Sequence, residues 1–493
     1  MRAIHPMRAI RPLLRVGPQQ PPTPPRLTPL VGALAAALLM TACAVGPQYV
    51  APPVPAVSAW QAPLPHDGDG QSLQRWWAQW NDATLSRLIA VAQETSPSIA
   101  QAVARISQAR ATQTIAGSAG AATVTGSATA TRGNAGDGLG AVSRAVASAQ
   151  AAWELDLFGG NRRTREAADA RRGALDAAWH QARVALAAEV AVAYVNLRVS
   201  EALLTGYERD AGSRAETSRL TALKTNAGFE APANAALAKA SASEAAARLL
   251  AQRADVDLGV KALVALTGLS EPDLRALLAS GRAVLPTTLA PLVANVPATV
   301  LSQRPDLAAA ERELAALVAD IGVAEADRYP RLLLTGNIGY GAGRVAGATV
   351  TGATWGFGPA LSVPLFDAGR RAAAVSLAQA RYEEALAGYR ATAVRAVREV
   401  EEALTQLDAA RHRAPELQAA LGGYLSFEKA AQARLSAGAG SVLELEEARR
   451  AVLGAQVAVL NLERERLHAA ISLYRAIGGG WDQTQPKVSE NRP

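Results

Sequence analysis

The chain has 493 residues, a formal charge of +7, five scattered histidines and one cysteine. Five of the positive charges (Arg2, Arg8, Arg11, Arg15 and Arg26) precede Cys43, so the remainder carries only +2, too little for the basic stripe of a nucleic-acid partner. The histidines lack metal-ligand spacing, one cysteine can neither close an intramolecular disulfide nor hold zinc alone, and no Walker loop or Gly-x-Ser-x-Gly elbow occurs, so no metal, cofactor or enzyme activity is expected.

The first element in chain order is a leader. Arginines are followed by the eleven apolar residues Leu30–Met40 and by small Thr41 and Ala42. This secretory layout is too short to span a bilayer as a helix. Small residues ending at a cysteine resemble a bacterial lipobox, with Met40 in the usual Leu position. Residues 1–42 then form a lipoprotein signal peptide, cleavage falls before Cys43, and a covalent lipid on Cys43 is the only added group expected. The alternative is a buried cysteine behind an ordinary signal peptide. The lead from Met1 to Pro29 is long, so Met7 is an alternative start. Ala44, not the Asp that signals inner-membrane retention, follows the cysteine and points to the outer membrane.

Beyond residues 43–95, an N-terminal extension, the chain repeats itself. "SPSIAQAVARISQARA" from Ser96 aligns with "RPDLAAAERELAALVA" from Arg304 at an offset of 208, as does "ELDLFGGNRR" from Glu154 with "SVPLFDAGRR" from Ser362. Gly228 and Gly438, and Gly268 and Gly478, pair at an offset of 210. Four landmarks in one order define repeats over 96–268 and 304–479, a linker over 269–303 between them and a tail over 480–493.

Each repeat reads as helix, two strands, long helix, turn, helix. Val124, Gly126, Ala128 and Ala130 alternate with threonines and Ser127, and Leu332, Leu334, Gly336 and Ile338 keep the same parity. Trp355, Phe357, Leu361, Val363 and Leu365 share one face of a return strand; period two predicts strands. "GNAGDGLG" from Gly133 reads as a turn between strands. No proline interrupts Asn161–Asn226, predicting a helix of about 100 Å at 1.5 Å per residue, whereas Pro415 and Gly422-Gly423 predict a kink in its second-half counterpart. Residues 43–493 hold no apolar run near twenty residues, so a membrane crossing requires strands closed into a barrel. Four strands are fewer than a barrel needs, and the chain must then oligomerise. The competing reading is two hairpins on a soluble helical body.

The segments "CAVGPQYVAPPVP", "WWAQWNDATLSRLIAVA", "WELDLFGGNRR", "RPDLAAAERELAALVADIGVAEADRYPRLLLTGNIGYG", "WGFGPALSVPLFDAGRR" and "LYRAIGGGW" run in order from Cys43 to Trp481. Together they resemble the TolC-type outer-membrane efflux factors, in their NodT-like lipoprotein branch. The resemblance implies a mainly α fold with a β-barrel part: a homotrimer with a 12-stranded transmembrane barrel, four strands per chain, and a helical barrel crossing the periplasm. It makes part of 43–95, the 269–303 linker and the tail an equatorial domain. It also implies a passive duct for small molecules such as drugs. A periplasmic adaptor protein and an inner-membrane resistance-nodulation-division pump would feed the duct. Ala83 departs from the family's proline, leaving Asp82 to cap the helix. The rivals are a type I secretion duct, a non-conducting periplasm-spanning lipoprotein and, more remotely, a hydrolase.

The resemblance also supplies site expectations. Ala227-Gly228-Phe229 and Ala437-Gly438-Ala439 match the tips that dock the adaptor, glycine permitting a sharp turn; the alternative is a helix cap without a partner. Glu444 and Glu447, three apart on one helix face, match the acidic residues of the periplasmic gate and would form two rings of three in a trimer. The first-half counterpart is the uncharged Asn234, while Gly440 and Leu435 stand where some relatives carry an arginine and a tyrosine that hold the entrance closed. The alternative is that Glu444, Glu446 and Glu447 form a solvated helix face.

Overall fold

A computed structural model of the chain describes residues 44–53, 60–62, 73–134, 141–287, 301–345 and 348–481. Cys43 and its leader, most of the expected turn from Gly133, part of the 269–303 linker and nearly all of the tail lie outside the described residues.

A 3-10 segment, Leu73–Trp80, leads into α1 (Ala83–Thr95). The expected cap forms: Asp82 Oδ1 accepts from Leu85 N at 2.9 Å, while Tyr194 Oη donates to Oδ2 at 2.6 Å. Helix α2 (Pro97–Ser118) starts with proline at the first turn, where its missing N–H costs nothing. Strands β1 (Thr123–Asn134) and β2 (Ala141–Leu155) follow, then α3 (Gly160–Asn226), α4 (Pro232–Thr267) and α5 (Glu271–Leu278). The second half repeats the plan with α6 (Pro305–Ala326), β3 (Arg331–Val345), β4 (Ala348–Ser362), α7 (Arg370–Ser436) and α8 (Val442–Ala476).

The duplication is carried into element lengths. Helices α2 and α6 both have 22 residues, and α3 and α7 both have 67, about 100 Å each at 1.5 Å per residue. Both long helices start with carboxylates accepting from backbone N–H groups: Asp156 from Asn161 N (3.0 Å) and Arg162 N (2.8 Å), Asp367 from Gly369 N (3.1 Å) and Arg371 N (3.2 Å). A negative charge there complements the helix dipole.

Helix α7 is continuous through Pro415: one missing N–H is outweighed by the helical bonds on either side, and Pro415 does not end the element. One expectation is corrected here. The strand face assigned to Trp355 through Leu365 stops earlier, because β4 ends at Ser362. Val363 and Leu365 lie past its end, where Pro364 has no N–H to extend a ladder.

All four strands form one antiparallel sheet in the order β1-β2-β3-β4. Val124 pairs with Ala151, Ala151 with Gly336 and Gly336 with Phe357, while Ala149, Ile338 and Trp355 align in the next row. Since alternate residues share a face, one face is apolar and the other carries Thr125, Ser127, Gln150 and Asn337. The outer edges of β1 and β4 pair with no other strand among the described residues.

The main core gathers Trp76, Trp80, Leu85, Tyr194, Leu263 and Leu274, all buried, and Trp76 stacks on Tyr474 at 4.8 Å. Two buried arginines tie helix ends to this core. Arg198 donates to Leu278 O (3.1 Å) and Ser280 O (2.7 Å) and pairs with Glu201 at 2.9 Å. Arg304 donates to Ala476 O at 2.6 Å and pairs with Asp306 and Glu399. Part of the 269–303 linker is thus ordered structure: α5 buries Leu274 and Leu278 against the core.

Candidate functional site

Helices α3 and α4 are joined at one turn, α7 and α8 at another, and both turns are built alike. Ala227 N, Gly228 N and Phe229 N donate to the carbonyls of Leu223 (3.1 Å), Thr225 (3.0 Å) and Lys224 (2.8 Å). Ala437 N, Gly438 N and Ala439 N donate to those of Ala433 (3.1 Å), Leu435 (3.1 Å) and Arg434 (2.9 Å). This is the Schellman pattern, which places its glycine in the left-handed region. Gly228 has φ +82 and Gly438 φ +74, and a Cβ on either would meet nothing within 4 Å. Backbone conformation, not crowding, therefore requires glycine. Phe229 is 84% exposed at the first turn.

Glu444 and Glu447, the residues expected at the gate, lie at the start of α8. Ser441 caps the helix by accepting from Glu444 N at 3.1 Å. The Glu444 carboxylate forms an ion pair with Arg434 in the last turn of α7, so its charge is locally offset, whereas Glu447 is exposed. Asn234 has no cationic partner like Arg434: its amide donates to the Glu230 carboxylate at 2.6 Å. That bond, followed by one from Ala231 N, holds the Glu230 carboxyl below the usual carboxylate range. A Cβ at Gly440 would lie 3.0 Å from Leu435 N, which disfavours at this position the arginine that some relatives carry.

Glu446 corrects the solvated-face reading. It is only 6% exposed, accepts from Thr217 Oγ1 of α3 at 3.0 Å and from Arg449 at 3.3 Å, and so joins the two hairpins. Arg214, buried on α3, pairs with Asp210 at 2.8 Å and donates to Ser241 Oγ at 2.8 Å. Arg214, Asn234, Leu237, Leu443 and Glu446 line a cavity of about 260 Å³ between the hairpins, which brings the neighbourhoods of both tips together. Arg214 was missed in the sequence, and Glu446 was read only as part of a solvated face. Glu446 could have been found as an acid flanked by Leu445 and Ala448 on a helix whose other carboxylates, Glu444 and Glu447, lie on a different face.

At the opposite end of the long helices, the segment after residue 43 is pressed into the junction between strands and helices. Val45 N donates to Phe158 O (3.2 Å) and Arg163 Nη2 to Gly46 O (3.2 Å). A Cβ on Gly46, at φ +91, would lie 2.6 Å from Gly322 Cα, so only glycine fits. Phe158 stacks on Tyr329 at 4.6 Å in the same region, an aromatic pair of the kind found at membrane boundaries.

These features coincide with those of known proteins. The sequence matches the outer membrane efflux protein family twice, over residues 88–269 and 296–479, one match per half. It is 31% identical over 467 residues to outer membrane protein OprJ of Pseudomonas aeruginosa, covering 93% of this chain and 97% of that one. The solvent efflux pump outer membrane protein SrpC of Pseudomonas putida is 27% identical over 463 residues, covering 91% of this chain and 98% of SrpC. A crystal structure of a membrane protein from Pseudomonas aeruginosa superposes with a TM-score of 0.78 at 29% identity, over 88% of this chain and all of that one. The relatives are channel proteins of the outer membrane, not enzymes. The chain, duplicated, mainly helical and carrying one small sheet, belongs to the outer membrane efflux protein family.

Proposed function

We propose that three copies assemble into a passive duct through which an inner-membrane pump of the resistance-nodulation-division class, acting through a periplasmic adaptor, expels small molecules. The observation that carries this reading is the four-stranded sheet, apolar on one face and polar on the other, with both edge strands open among the described residues. Exposed edges cannot persist in lipid. Three sheets joined β4 to β1 give twelve strands with every edge paired, their polar faces lining a lumen. The names of relatives such as SrpC support small molecules as cargo. The duct needs no chemistry of its own, since the driving energy enters at the pump.

The two tips dock the adaptor, Phe229 supplying an apolar contact and the glycine turns a sharp end. Glu444 and Glu447 ring the periplasmic entrance and favour cations, as acidic rings do. Acylated Cys43 anchors the chain. Ala44, the first described residue, sits beside Gly159 at the start of α3, at the junction of strands and helices. Planar-bilayer recording of the purified full chain tests the reading. Stepwise conductance from a species of three-chain mass is expected; silence from intact trimers would point instead to a non-conducting scaffold.

A further inference from the structure

The apolar face of the sheet ends abruptly at one row. Between the row of Leu332 and that of Ala342, every described residue on this face is uncharged. Ten residues at about 3.4 Å each, on strands tilted about 40°, rise about 26 Å, which matches the apolar band of about 25 Å around an outer-membrane barrel. The next row, two residues farther from the helices, reads Arg132, Ser143, Arg344 and Thr349 across the four strands. Both arginines are exposed, and neither has an ion pair or hydrogen bond among the described residues. No carboxylate lies on this face of the described strands. Arg144, one residue along, belongs to the opposite, polar face, where it pairs with Thr131 and Gly343.

We propose that Arg132 and Arg344 form a docking point for the phosphate groups of an outer-leaflet glycolipid headgroup. Charge and level both select that partner. The row lies about 5 Å beyond the apolar band, by strand rise and tilt, and long basic side chains reach from such a position into the headgroup layer. The two backbones are two strand spacings apart, about 10 Å, so the guanidinium groups can hold two phosphates of one headgroup or converge on one. Guanidinium suits this role because its planar fork binds phosphate oxygens bidentately. Ser143 stands between the arginines and Thr349 beside Arg344, offering hydroxyl donors. A trimer would carry three such points at the outer rim, fixing the depth of the barrel while the Cys43 end anchors the inner leaflet.

The proposal rests on the strands crossing the membrane, and the test separates the two. Full-length wild type, R132Q/R344Q and R144Q are inserted into phosphatidylcholine nanodiscs containing a minor fraction of lipid A, and retained lipid is counted by native mass spectrometry. Wild type and R144Q should retain lipid A, and R132Q/R344Q about fivefold less or below. Lipid A stripped of its phosphates should be retained poorly by all three, and inorganic phosphate should not displace bound lipid A. Equal lipid A retention by inserted wild type and R132Q/R344Q overturns the proposal, as does displacement by inorganic phosphate, which would reveal a simple anion site. Wild type that fails to enter the nanodiscs overturns the membrane-spanning reading, and this one with it.

Discussion

At the end of α3, Ala227, Gly228 and Phe229 close onto the preceding turn of helix, and 210 residues later Ala437, Gly438 and Ala439 do the same. The charges around these caps are arranged differently. The first tip has Glu230 bound to Asn234, whereas the second has Gly440 and Glu444 at the matching positions, with Glu444 paired to Arg434. Backbone geometry held both turns to one solution, because a chain reversing after a helix needs a residue at positive φ. Charge was free to diverge, and only the second hairpin came to carry carboxylates (Glu444, Glu446 and Glu447) in the first turns of its returning helix. Docking is therefore assigned to what the tips share, and gating to what separates them.

The largest effect is expected from destroying the shared feature. Gly228→Leu and Gly438→Leu force a side chain into the left-handed region at about 1–2 kcal/mol each and add bulk at the docking end. Together they should abolish efflux in a substrate-accumulation assay while the protein still reaches the outer membrane. Normal pumping by the double variant would remove the tips from the docking role.

Next comes the link between hairpins. Thr217→Val keeps the shape of the side chain but deprives buried Glu446 of a donor, at a cost of about 1–3 kcal/mol. Single-channel recording should show more frequent opening, because α8 is then less firmly held to α3. Unchanged opening would mean that Glu446 serves packing alone.

A smaller effect should follow from changing charge at the second tip. Glu444→Gln with Glu447→Gln should lower cation selectivity and relieve block by multivalent cations added from the periplasmic side. Arg434→Gln sharpens the contrast in the other direction: it releases Glu444 from its ion pair and should strengthen that block. If both variants are blocked as the wild type is, the acidic ring lies elsewhere.

The smallest effect is a titration at the first tip. The Glu230 carboxyl is held below its usual range by Asn234 and by Ala231 N. A depressed folded pKa means that this interaction is fully present above the ordinary carboxylate value and is lost as pH falls through the depressed one. Asn234→Ala should move the Glu230 midpoint upward in an NMR titration. A midpoint that does not move would assign the depression to the backbone N–H alone.

Much of this architecture is legible in the chain. Strict alternation in "ATVTGSATAT", matched in parity from Leu332, fixes two strands and their apolar faces, and the absence of proline from Asn161 to Asn226 fixes a long helix. These are local signals: period two and period 3.6 are properties of consecutive residues. Pro415 shows the limit of such signals, since a local breaker does not say whether the element continues past it, and α7 does. Glu444 and Glu447 are legible as a pair, but the Arg434 partner is not, because it comes from the preceding helix across the turn.

By itself the sequence determined the duplication, the element types, the caps at Asp82, Gly228 and Gly438, and which strand residues are apolar. Each follows from the conformational preferences of a few neighbouring residues. Only the tertiary structure decided that Thr217 meets Glu446, that Arg304 closes the end of α8, that Gly46 is pressed against Gly322, and that Arg132 and Arg344 share one row. Those contacts depend on register and on helix packing between segments up to hundreds of residues apart, and on side chains whose partners no local pattern names.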